Sequence, residues 1–102
     1  MVNKYNDIIP NEILHSDFLR LMNQLWKLIP MRENGENWER QLSLVTIEIA
    51  GLGTLFRESL DFTILLSKLE GLLIEKENID FLDYRKTVFD SINLLKGLEE
   101  NE

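Results

Sequence analysis

Apolar residues recur along this chain at alternating spacings of four and three. That is the repeat of one helical face, not the two-residue repeat of a strand. Leu14, Phe18, Leu21, Leu25 and Leu28 form the first seam, and Met22, Trp26 and Ile29 widen it. The spacing predicts a helix from about Pro10, which suits a first turn, to about Ile29, where Pro30 is expected to stop it. Residues 1–9 read as an extended arm. Residues 30–37, "PMRENGEN", carry the clearest loop signal, and Asn37 is placed to cap a helix opening at Trp38.

The next stretch, "LVTIEIAGLGTLFRE" at 44–58, mixes β-branched residues with a Gly-x-Gly. Strand alternation fails at Leu44–Val45, whereas Trp38, Leu42, Val45, Ile49, Leu52 and Phe56 form an unbroken helical seam. Leu44, Ile47 and Leu55 make a second stripe. Ser43, Thr46, Ala50, Gly53 and Thr54 leave a small face for close approach of a neighbour. Gly51 and Gly53 weaken a helix by up to roughly 1 kcal/mol each. The expectation is a helix that continues through them with a kink. The rival is a full break into helices 38–50 and 54–76, with Gly51 as a C′ residue and Thr54 as a new cap.

The third helix shows Phe62, Leu66, Leu69 and Leu73, with Leu65 and Leu72 alongside and Gly71 as another close-approach site. Its seam is out of register with the second helix, so a break or stutter is needed near 57–61. Residues 75–78 connect to a fourth helix, capped by Asp80 or Asn78. Its inward residues are Phe81, Tyr84, Val88, Ile92 and Leu95, Gly97 ends it, and 98–102 form a frayed acidic tail. Helices of about 18–20 residues with short connections predict an all-α, antiparallel up-down four-helix bundle in a single domain, 1–102, with helix 2 kinked or broken near Gly51–Gly53. Were helices 2 and 3 one rod, a second chain would have to complete the bundle, so a homodimer is admitted.

Composition changes this picture little, but charge adds to it. The chain has 102 residues, 44% of them hydrophobic, no cysteine and a net charge of −7. Disulfides and thiolate metal sites are therefore excluded. The N-terminal residues lack the apolar core of a secretory leader, and no run approaches the roughly 18 apolar residues of a membrane span. The expected location is cytoplasmic. Residues 70–102 hold nine acids and four bases, a surface that repels nucleic acid and attracts a basic protein.

Candidate chemistry is sparse. A dinucleotide fingerprint would need a third glycine where Phe56 stands, and the Gly-Lys-Ser/Thr of a P-loop is missing. Glu12-x-x-His15 has di-iron spacing, but His15 is the only histidine, which also leaves no two-histidine zinc helix and no oriented Ser-His-Asp set. Glu48 is the only charge between Arg40 and Arg57 and falls between two apolar stripes. Burial there would raise its pKa; the plainer alternative is an ion pair with an arginine of another helix, or reach to water. Trp26 and Trp38 belong to apolar seams and are expected in the core.

The expected function is a small acidic protein-binding or regulatory protein, of the inhibitor, immunity or anti-defence type, without cofactor, metal or catalytic activity. Its candidate interaction residues are Glu48, Glu70, Glu75, Glu77, Asp80, Asp83 and Asp90, and a contiguous acidic patch is expected on helix 4 and the end of helix 3. The alternative is a homo-oligomeric assembly subunit packing through helix 2. An enzyme would need a pocket around Glu48 with a second polar group.

Overall fold

A computed structural model of the chain describes residues 11–56, 58–75 and 78–101. The expected arm at 1–9 lies outside the described residues. Among the described residues the secondary structure is entirely helical: α1 (Asn11–Glu33), α2 (Trp38–Ala50), α3 (Gly53–Phe56), α4 (Leu60–Glu75) and α5 (Phe81–Asn101). No residue of the 44–58 stretch pairs as a strand among them.

Pro30 does not end α1, which continues to Glu33. A proline inside a helix costs about 3 kcal/mol, through a lost N–H and a clash one turn back. Here only three residues follow it in the helix. A well-formed stop follows it: Gly35 adopts φ 71°, and its N–H bonds the Arg32 carbonyl at 3.2 Å. The Glu36 N–H bonds the Met31 carbonyl at 2.8 Å. This left-handed glycine cap satisfies carbonyls that a helix end leaves open. Asn37 then caps α2 as the sequence predicts, its Oδ1 accepting from the Arg40 N–H at 3.2 Å.

The chain breaks at the glycines instead of continuing. α2 ends at Ala50, yet Gly51 is right-handed (φ −63°, ψ −18°) and is no left-handed cap. α3 is a single turn that begins at Gly53, not at a Thr54 cap. Ser59 opens α4, its Oγ accepting from the Phe62 N–H at 3.2 Å. The double turn swings Phe56 inward, edge-on to Phe18 and stacked on Phe62, both with ring centroids 5.9 Å apart. The expected small face is only partly covered: Thr46 is buried, but the rest is not a close-approach face. Ala50 and Thr54 are exposed, and a Cβ on Gly53 would meet the Phe62 ring at an ordinary 3.7 Å. Nor is Gly71 one, since nothing lies within 4 Å of a Cβ placed there. The second stripe of α2 faces outward, with Leu44 50% and Ile47 65% exposed.

α4 buries Phe62, Leu65, Leu69 and Leu72. Asp80 caps α5 by accepting from the Asp83 N–H at 2.9 Å. α5 runs through Gly97 to Asn101, so residues 98–101 are helical and not a frayed tail. Leu98 explains why: it extends the Tyr84, Val88, Ile92, Leu95 seam and is buried. Burying a leucine stabilises by about 1.5–3 kcal/mol, more than the roughly 1 kcal/mol a helical glycine costs.

The four long helices touch in a closed cycle: α1 with α2, α2 with α4, α4 with α5, and α5 with α1. Cross-helix pairs run in opposite order between α1 and α5 and between α1 and α2. His15 meets Glu99 while Trp26 meets Phe89, and Arg20 meets Glu48 while Arg32 meets Trp38. One core fills the centre, from Phe18, Leu21, Leu25 and Leu28 of α1 to Val88, Ile92 and Leu95 of α5.

The two glycine environments predict opposite responses. Gly35→Ala should lower stability by about 1–2 kcal/mol, from left-handed strain alone. Gly71→Ala should raise it by up to about 1 kcal/mol, from helix propensity. Urea unfolding of the two variants checks both signs.

Candidate functional site

The sequence-selected acids do not gather at one place. Glu48 is exposed, and its Oε2 accepts from Arg20 Nη1 of α1 at 2.6 Å, so it takes the ion-pair alternative and not the buried one. That hydrogen bond is the main reason the Arg20 guanidinium is held above its ordinary pKa. An exposed pair of this kind contributes at most about 1 kcal/mol. Glu70 lines a hollow of about 250 Å³ with Gly53, Phe62 and Thr63. Asp90 lies on another side of α4, in a groove of about 340 Å³, and its Oδ2 is 3.7 Å from Lys68 Nζ. Asp80 is occupied as a helix cap, whereas Glu75 and Asp83 are exposed. Glu77 lies outside the described residues. Among the described residues no group of three or more His, Asp or Glu side chains is placed to hold a metal ion.

The organised polar chemistry sits at the end of the molecule where α1 finishes and α5 begins. Because α1 outlasts Pro30, Arg32 is helical and turns inward. Its guanidinium lies 4.7 Å from the Tyr84 ring centroid and 5.3 Å from that of Trp38. Nη2 donates to the Ile79 carbonyl, while Nη1 is buried without a hydrogen-bond partner among the described residues. Desolvated cation–π contacts reach about 2 kcal/mol, which offsets part of that omission. Tyr84 is fully buried, and its hydroxyl donates to the Leu28 carbonyl at 2.7 Å.

Beside this cluster, α1 and α5 enclose a cleft of about 420 Å³ lined by Trp26, Ile29, Pro30, Glu33, Phe81, Arg85 and Phe89. Trp26 is not in the core, being 45% exposed, while Trp38 is buried as expected. The Trp26 ring meets Phe89 edge-on, with centroids 4.9 Å apart and planes at 82°. The Arg85 guanidinium lies over Phe89, 5.2 Å from its centroid. Sequence reasoning missed this cleft. The i, i+4 spacing of Phe81, Arg85 and Phe89 was a readable signal, but only the packing of α1 on α5 brings Trp26 to it.

A further ionisable pair, His15 Nδ1 with the Glu99 carboxylate, joins the start of α1 to the end of α5 at the surface. Comparison of the chain with protein-family models, with curated proteins and with solved structures finds no match.

Burial raises the Tyr84 phenol above its ordinary 10.0, opposed in part by Arg32. The unfolded chain releases this proton near pH 10 while the folded chain keeps it. The resulting stability is present in full below pH 10 and is lost as pH rises above it. The urea midpoint of the wild type should therefore fall more steeply above pH 10 than that of Tyr84→Phe. At neutral pH the variant should be about 1 kcal/mol less stable, for the lost bond to Leu28. Parallel alkaline limbs would contradict this.

Proposed function

We propose that the chain works by binding another protein, as a small regulatory factor of the inhibitor, immunity or anti-defence kind, with no catalytic activity of its own. The observation that supports this reading is the aromatic cleft between α1 and α5. Single exposed apolar residues are normal on protein surfaces, but a tryptophan and an arginine sharing a concave site are not scattered singles. Those two residue types are enriched among the few that dominate binding energy at interfaces. The net charge of −7 would steer a basic partner toward the protein, with Glu70, Glu75 and Asp83 exposed to meet it. The contact cycle and the opposite-running helix pairs are consistent with an antiparallel up-down bundle as the scaffold. The absence of cysteine suits a reducing, cytoplasmic setting.

A second reading is a homo-oligomeric subunit packing through α2. Leu44 and Ile47, one turn apart and both exposed, favour it.

Affinity purification from the native host, with the wild type and Trp26→Ala as baits, tests the first reading. A partner held by the wild type should bind the variant about 30-fold or more weakly. Equal capture by both would remove the cleft from the function. Light scattering after gel filtration tests the second. A stable dimer that Ile47→Glu converts to monomer would favour assembly through α2, and a wild-type monomer would exclude it.

A further inference from the structure

We infer that the α1–α5 cleft receives an aromatic side chain accompanied by a carboxylate, both offered by one segment of the protein partner; this rests on the binding function proposed above. Trp26, Phe81 and Phe89 wall the cleft. Trp26 and Phe89 already meet edge-on, and a third ring can add to such a pair by offset stacking or by its edge. The carboxylate follows from Arg85. Arg20 has Glu48, Lys68 has Asp90, and Arg32 has Ile79 and two rings. Arg85 has the Phe89 face and no ion pair among the described residues. A guanidinium held over a ring without an ion pair still has N–H donors to offer, and their fork matches a carboxylate in two bonds.

Glu33 lines the same cleft, also without an ion pair among the described residues. It repels the incoming carboxylate from its own wall and so orients the guest toward Arg85. The charge of −7 favours a carboxylate delivered by a partner of neutral or positive net charge over one carried by an acidic protein.

The test is NMR titration of the full chain with N-acetyltryptophan and, separately, its uncharged amide, N-acetyltryptophanamide. The acid should saturate in the millimolar range, shifting the Trp26 indole N–H, and should bind about tenfold more tightly than the amide. Arg85→Gln, at an exposed position, should abolish that preference, and Glu33→Gln should strengthen binding of the acid. Equal affinity for acid and amide would overturn the assignment, as would shifts that do not saturate. Partner capture that depends on Trp26 but ignores Arg85→Gln and excess N-acetyltryptophan would leave the binding function standing and overturn this occupant. Tight binding of the acid with no captured partner would overturn a protein segment as its source.

Discussion

The contact of Phe56 with Phe18 on one side and Phe62 on the other closes this fold. These three rings belong to α1, α3 and α4, and they meet where the chain abandons the line of α2. Had α2 and α4 formed one rod, their apolar seams would have faced different directions and no single core could have held both. Breaking a helix twice within ten residues sacrifices backbone bonds of about 1 kcal/mol each. Burying Phe56 and Phe62 returns about 1.5–3 kcal/mol per ring, with about 0.5–1.5 kcal/mol more for each aromatic pair. The same double turn also lets Ile49 and Leu65 enter one core from opposite sides of the break.

At the other end of the molecule a second junction rests on polar contacts. Arg32 joins the last turn of α1 to the Ile79 carbonyl just before α5, and Tyr84 returns the link by donating to Leu28. Trp38, the first residue of α2, closes on both, with its ring 4.9 Å from that of Tyr84. Three helix ends therefore share one part-buried cation and two rings. This explains why α1 tolerates Pro30: ending the helix there would withdraw Arg32 from the junction. The aromatic cleft is the outer wall of the same corner, since Phe81 packs against Tyr84 with centroids 6.3 Å apart while also lining the cleft. A cleft backed by so constrained a corner is preorganised, which would reduce the entropy lost in the binding we propose.

The acidic character of the chain has a different status. Glu48, Asp80 and Asp90 are engaged within the protein, by Arg20, by a helix N-terminus and by Lys68. Glu70 and Asp90 line hollows on different sides of α4. Acidity here acts as a diffuse field, and shape and aromatic surface are concentrated between α1 and α5.

Periodicity alone determined that the chain is helical, and it identified most of the core. Phe18, Leu21, Leu25, Leu28, Leu42, Val45, Ile49, Leu69, Val88 and Leu95 were all readable from their spacing and are all buried. The Asn37 cap was equally legible, and Asp80 was one of two candidates beside Asn78, because capping is a local interaction between a side chain and an N–H three residues on. Tertiary structure decided what local rules left balanced. Pro30 and Gly97 are helix breakers by propensity, and both were overridden by residues beyond them, Arg32 and Leu98, whose partners lie on other elements. The glycine pair went the other way, because the α4 seam is out of register with that of α2, and Phe62 and Leu65 share one core with Ile49 only across a break. Trp26 shows the limit most plainly. At the edge of a seam, sequence cannot tell a core residue from the rim of a cleft, since that depends on how far the neighbouring helix stands away.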